Sequence, residues 1–283
     1  MASGAARVPT RWPIAFITLC TLIAAVFLAL PWSLETKSLA ALHGLCAQQP
    51  THSFYFDDAR LPFDARMSGI YGGFAITSLV LLALRRWRTS GIPSVPLLVV
   101  LGSFIVVMGI DGVNSTLVDL RRWHLYEPRN ELRLVTGQLT GVTLATFVWL
   151  LVGQIGFASA ARRAMAPLRG FRDLAIVLTV QLGFTLLVVS GWGPLRVPLT
   201  LLLIGAAVAA VTGLTLGFVL LFSQREGQAL TTSALVGPAT IALVVALIII
   251  GSLGGGRFLL EAWLNIPSTL PELQSQGFVA DGA

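Results

Sequence analysis

Seven stretches of this chain run for 18 to 26 residues with almost no charge: 13–31, 67–84, 93–111, 134–157, 174–192, 197–222 and 234–253. A helix needs about 20 predominantly apolar residues to cross the hydrocarbon core of a bilayer. Backbone polar groups in lipid are satisfied only within helices or closed barrels. The runs therefore predict an all-α polytopic transmembrane helix bundle of about seven spans, a single membrane domain over 1–283. Charged residues make up 11% of the 283 and hydrophobic ones 55%, whereas a soluble surface carries roughly a quarter charged residues. The formal charge of +6 does not indicate a nucleic-acid partner, because the basic residues sit in short clusters beside apolar runs, where they orient spans. The partner implied is the lipid bilayer.

Trp12, Trp32, Trp87, Trp123, Trp192 and Trp263 fall at or just beyond the expected span ends, the depth an indole prefers. Arg7 and Arg11 precede 13–31 as they would in a secretory signal, but this run exceeds the usual core of about 7–15 residues and reads as an uncleaved first span. Basic residues divide 10 against 9 between the two faces, and acidic residues 2 against 11. The face with the N-terminus has short, mostly basic connections: Arg85-Arg86-Trp87-Arg88, then Arg162, Arg163, Arg169 and Arg172, then Arg225. This predicts a plasma-membrane protein with a cytoplasmic N-terminus and an extracytoplasmic C-terminus. Residues 254–283 are expected to form an interfacial or flexible tail.

Segments 32–66 and 111–133 are separated by two spans, so they emerge on one face whichever way the protein is inserted. They hold all three histidines, His43, His52 and His124, together with Cys46. Polar residues also enter the flanking spans from this side: Asp64, Arg66 and Tyr71, then Asp111 and Asn114, then Asn130 and Arg133. Ionisable groups at membrane depth are costly and usually face a bundle interior or a water-filled cavity. These seven residues are the candidate ligand-binding set. Asn130, Arg133, Gly137 and Gly141 share one helical stripe. Gly137 and Gly141 form a small-xxx-small pair, as do Gly69 and Gly73, so the second and fourth spans are expected to pack closely.

Simpler readings stand beside these. Asp64 suits an N-cap, Arg66 can extend to the headgroups, and an ion pair of Arg133 with Asp64 or Asp111 would merely hold helix register. His43, Cys46, His52 and Asp64 are a weak metal-ligand set, adequate for a divalent ion. No cofactor is otherwise implied, and Leu39 and Leu42 share a face with His43 and Cys46 on a short helix expected over 34–46. No zinc-finger or paired-cysteine spacing is present.

Two segments resemble a family of prokaryotic membrane proteins known as domain of unknown function 2085, over roughly residues 40–145. The first is His43-Gly-Leu-Cys46-Ala-Gln-Gln-Pro50-Thr-His52-Ser53-Phe54, followed by Leu61-Pro62-Phe63-Asp64-Ala65-Arg66-Met67-Ser68-Gly69-Ile70-Tyr71-Gly72-Gly73. The second is Gly109-Ile-Asp111-Gly112, followed by Arg129-Asn130-Glu131-Leu-Arg133-Leu-Val-Thr136-Gly137. In the commoner pattern of that family Cys-Ala-Arg-Cys precedes Gly-Ile-Tyr. Asp64 and Met67 replace those cysteines here, which excludes a thiolate-rich zinc site. The resemblance implies where the site lies and implies no reaction.

Three functional classes fit. An outer-face polar pocket would bind a small polar or anionic group, such as a lipid headgroup, through Arg133 and Arg66, with Asn130 and Tyr71 donating hydrogen bonds. A structural or assembly subunit would use its Gly- and Ala-rich later spans as contact surface for membrane-complex partners. A membrane-embedded hydrolase or transferase, metal-assisted or not, would use Asp64 or Asp111 as general base. A transporter fits least, because the polar residues gather at one end of the spans rather than at the midplane.

Overall fold

The computed structural model describes residues 11–266 and Leu270. Seven of its helices are long and apolar enough to cross a membrane: α1 (Arg11–Ala29), α3 (Ala65–Ala83), α4 (Val95–Asp119), α5 (Asn130–Leu151), α6 (Phe171–Val189), α7 (Arg196–Phe222) and α8 (Val236–Trp263). A short helix α2 (Leu34–Ala41) and a two-stranded hairpin, β1 (Ser53–Phe56) and β2 (Ala59–Asp64), lie between α1 and α3. The protein is a multi-pass, mostly helical membrane protein.

Several boundaries differ from expectation, each for a local reason. α4 runs past the expected end at 111, so Asp111, Asn114 and Ser115 sit within a helix. Nothing ends it until Arg121 takes a left-handed φ of 53°, a common way for a helix to stop. α5 begins at Asn130 because Pro128, which cannot continue a helical hydrogen-bond ladder, closes the preceding turn. The segment 32–66 is not a plain loop. Ser33 caps α2 by accepting from the Thr36 amide at 3.2 Å, and the hairpin turns at Asp57-Asp58, with Asp57 at φ 53°. The hairpin is antiparallel, pairing Ser53 with Asp64, Tyr55 with Arg60 and Phe56 with Ala59. Pro62 is admissible because each strand of a two-stranded ribbon is an edge.

Residues 254–263, expected in a tail, continue α8 through three consecutive glycines. Helical glycine costs about 1 kcal/mol relative to alanine, and docking of this turn, described below, offsets it. The part of the expected tail beyond Ile266, apart from Leu270, lies outside the described residues.

α3 and α5 form the central seam. A Cβ on Gly69 would overlap Leu134 O, one on Gly137 would overlap Arg66 O, and one on Gly141 would overlap Ile70 O. The two small-residue pairs therefore bring the backbones into contact, as their spacing predicts. Deeper in the seam Gln181 of α6 donates to Gly73 O at 2.8 Å, and Thr185 donates to Gln138 Oε1 at 2.7 Å, joining α3, α5 and α6 by interhelical hydrogen bonds.

On the face carrying the start of α1, the connections are knit together. Thr89 bridges to Arg163 and Phe157 to Ala229, and Arg86 pairs with Asp173. On the opposite face α2 and the hairpin cover the bundle end. Leu39, Leu42, Phe56, Leu61 and Phe63 are each at most 1% exposed, and most of them join a core cluster with Phe74, Phe184, Leu199 and Leu203.

Candidate functional site: an arginine cluster beneath the hairpin

The hairpin face gathers both segments singled out by sequence. Asp111 on α4 is 1% exposed and both its oxygens are occupied. Oδ2 accepts from Arg66 Nη2 at 2.6 Å and from Thr136 at 3.4 Å, and Oδ1 accepts from the Tyr126 hydroxyl at 2.8 Å. Arg66 also donates to Ser115 Oγ at 3.1 Å, so it bridges α3 to α4 rather than extending to headgroups. The Tyr126 hydroxyl is pushed up to about 12, first by burial and then by its bond to Asp111. It stays a donor at any physiological pH. Asn114 receives the Leu125 amide at 2.7 Å and donates to Tyr126 O at 2.8 Å. It folds the 120–129 connection back and so positions Tyr126.

Arg133, one α5 turn below Asn130, completes the cluster. It donates to Asn130 Oδ1 at 2.9 Å, to His52 Nε2 at 3.3 Å and to Ser115 Oγ at 3.4 Å. Asn130 in turn donates to Thr51 O and Ser53 O at 3.3 and 3.4 Å, tying α5 to the hairpin. His52 titrates below its ordinary range, chiefly through burial and then through the Arg133 charge. It is therefore neutral at pH 7, with Nε2 as acceptor. Asp119 Oδ1 lies 3.6 Å from that same nitrogen, but a neutral ring already accepting from Arg133 has no proton there to give, and Asp119 is 47% exposed. The guanidinium contact outweighs this nominal ion pair.

Arg133 is thus a 6%-exposed cation held by three neutral acceptors. Among the described residues no carboxylate lies within ion-pair distance of it. A guanidinium carries five N–H donors, and its hydrogen bonds here engage only three nitrogens once each. Asp111 is already committed to Arg66.

Other expected site residues go elsewhere. Asp64 caps α3, its Oδ1 accepting from the Met67 amide at 2.9 Å, the role its position suggested. Tyr71 is five residues from Arg66, about 140° around the helix. Its ring stacks on Phe63 at 4.7 Å within the core cluster, so Tyr71 does not belong to the polar site. His124 is half-buried and pairs with Glu127 at 3.0 Å; the Arg122 carbonyl first, and then that bond, raise its pKa.

The four candidate metal ligands do not converge. Among the described residues no three His, Cys, Asp or Glu side chains come together as a metal site requires. Cys46 is buried beside Asp64 and receives the Asp64 and Gln48 amides at 3.3 Å each. Burial first, and then the Asp64 charge, push its thiol up to about 12, the opposite of the thiolate a metal ligand needs. His43 is fully buried and faces a different partner, Glu261.

That partner shows what sequence reasoning missed. The end of α8 clamps the 43–47 turn. His43 stacks on Phe258 at 4.1 Å, and its Nε2 lies 2.8 Å from Glu261 Oε2. Arg257 donates to Glu261 at 2.7 Å, to His43 O at 2.8 Å, to Ala47 O at 3.1 Å and to Cys46 O. Gln48 Nε2 is committed to Leu39 O and Pro62 O, which turns its Oε1 to His43 Nδ1 at 3.0 Å and so assigns a proton to Nδ1. A Cβ on Gly44 would overlap Gly254; only glycine admits this approach. The i, i+4 spacing of Arg257 and Glu261 was the available signal, obscured by the glycine run before it.

No solved structure matches this chain. The uncharacterized protein MJ1492 of Methanocaldococcus jannaschii is 28% identical over 118 residues, 41% of this chain and 70% of that protein. Residues 46–147, which contain the hairpin, the α3–α5 seam and the whole arginine cluster, match the family described as Predicted membrane protein (DUF2085).

Proposed function

We propose that this chain is a plasma-membrane protein whose hairpin face binds a small oxyanion, a free phosphate or the phosphate of a lipid headgroup, through Arg133 and Arg66. The observation that carries this reading is the buried Arg133 guanidinium with neutral partners only. Buried charges are ordinarily paired, and ionisable groups in membrane helices usually mark a ligand or its pathway. Arg66, 23% exposed, has an Nε without a hydrogen-bond partner among the described residues, and both guanidiniums reach Ser115 Oγ. An anion entering beside Ser115 would meet two cations whose nearest carboxylate is spent. Asp64 and Asp111, the carboxylates a general base would require, are both committed to protein partners, which favours binding over catalysis. The short basic connections on the other face support a cytoplasmic N-terminus and, with it, an extracytoplasmic site.

Titration of the purified full chain with inorganic phosphate, and separately with nanodiscs containing phosphatidylglycerol, tests the reading. Saturable binding should weaken roughly 10- to 100-fold in Arg133→Gln, the worth of a charge-assisted hydrogen bond or two, measured on variant protein shown by circular dichroism to be folded. Equal binding by wild type and variant, or none by either, would refute it; preference for one probe identifies the source of the phosphate. A second reading, an assembly subunit, is favoured by α1, none of whose residues is buried. Co-purification of a stoichiometric membrane partner that is lost when α1 is replaced by an unrelated apolar span would support it.

A further inference from the structure

A groove of about 840 Å³ separates α1 from α3, α5 and α7. Leu82, Trp149 and Val152 also line a second cavity of about 440 Å³ that reaches Trp87 and Phe157 on the N-terminal face. On α7 the groove's lining extends from Leu201 to Leu216, about 23 Å at 1.5 Å per residue. The first cavity falls within the roughly 300–1,000 Å³ typical of small-molecule sites.

The walls are apolar but not indifferent. Seven buried side-chain polar atoms among the described residues lack a hydrogen-bond partner. Four of them, on Ser78, Trp87, Trp149 and Thr212, belong to residues lining these two cavities. A fifth, Arg88 Nε, belongs to the side chain lying over the Phe157 ring at 5.1 Å. All five are donors. A serine or threonine hydroxyl can turn onto its own helix carbonyl; an indole N–H cannot, and a buried donor left unmade costs about 1–3 kcal/mol.

We propose that the groove holds one chain of a bilayer lipid from the leaflet on the N-terminal face, with oxygens at the lipid's head end accepting hydrogen bonds from the Trp87 and Trp149 indoles. The small residues Gly205, Ala209 and Gly213 of α7 open the channel for the chain, and Ser78 and Thr212 line its length. This site is independent of the arginine cluster on the opposite face.

The test is quantitative mass spectrometry of lipids extracted from full-length protein purified in mild detergent. Two variants are compared with wild type: Gly205→Phe, whose added ring enters space with no atom within 4 Å of its Cβ, and the double change Trp87→Phe, Trp149→Phe. Wild type should retain a stoichiometric lipid. Gly205→Phe should lose it, and the double variant should hold it at least roughly tenfold more weakly, two hydrogen bonds being worth about 2 kcal/mol. Gly205→Phe should melt at or above the delipidated wild-type temperature, because it removes no contact the protein makes with itself; the double variant gives up indole packing against the Leu81 and Phe157 clusters, so it is compared on lipid retention in the folded protein. Wild type without retained lipid, or equal retention in all three proteins, overturns the proposal. If Gly205→Phe fails to fold, the double variant alone decides.

Discussion

Replacing Asp111 by asparagine removes the one buried carboxylate, among the described residues, that contacts Arg66, and its cost can be worked from the contacts. Asp111 is 1% exposed and lies 2.6 Å from Arg66 Nη2. Breaking a buried pair by removing one partner costs about 3–5 kcal/mol. Three features adjust that figure, two downward and one upward. Arg66 is 23% exposed and recovers some hydration, while the Asn amide keeps the hydrogen bond from Tyr126. Against this, Arg66 Nη2 and Arg133 Nε both touch Ser115 Oγ; at about 6 Å and an effective dielectric of 20 their unscreened repulsion approaches 3 kcal/mol. Asp111→Asn should therefore destabilise by roughly 3 kcal/mol, and Arg66→Gln, which strands the carboxylate, by a similar amount. The double variant should cost much less than their sum, with a coupling of about 2 kcal/mol. Unfolding in mixed dodecylmaltoside–dodecyl sulfate micelles, followed by circular dichroism, measures each corner of the cycle. Additive costs, or an Asp111→Asn cost below about 0.5 kcal/mol, would show that the cluster is not an electrostatic unit.

Three further outcomes follow from other parts of the fold. Gly137→Leu forces a side chain against Arg66 O and Gly69; it should cost about 3 kcal/mol or more in the same micelle assay, with Gly205→Ala, which meets nothing within 4 Å, as a near-neutral control. His52 titrates lower folded than unfolded, so the unfolded chain binds more protons below the ordinary histidine value of 6.5. Melting temperature should fall as pH drops below about 6.5, and His52→Gln should flatten that limb. The Cys46 thiol rises to about 12 from its ordinary 9.0, so the folded state keeps a proton the unfolded state releases. Its contribution is complete below pH 9 and should be lost at up to about 1.4 kcal/mol per pH unit above it. Cys46→Ala should lack this alkaline slope, and the native thiol should resist alkylation at pH 8.5 until the protein unfolds.

Patterns that are local or periodic were legible without any structure. The seven apolar runs determine seven helices because a backbone in lipid has almost no other way to satisfy its hydrogen bonds. Loop parity puts 32–66 and 111–133 on one face, and Gly69, Gly73, Gly137 and Gly141 specify the α3–α5 seam, since missing side chains at helical spacing let backbones touch whatever surrounds them. Asp64 as a cap belongs here too, being an interaction within four residues.

What tertiary structure decided are the partners of groups whose reach exceeds their sequence neighbourhood. Arg66 and Arg133 compete for Asp111, and only the packing of α4 against α3 and α5 awards it to Arg66 and leaves Arg133 with neutral acceptors. Tyr71 looks like a site residue by proximity in sequence, yet 140° of helical rotation sends it into the core. His43, grouped with Cys46 and His52 by spacing, is drawn instead to Glu261, 218 residues away, because the continued α8 brings a carboxylate and an arginine to the 43–47 turn. Composition and period record how each segment meets solvent or lipid; they carry no record of which charge on one helix lies opposite which on another, and the chemistry of this face depends on those pairings.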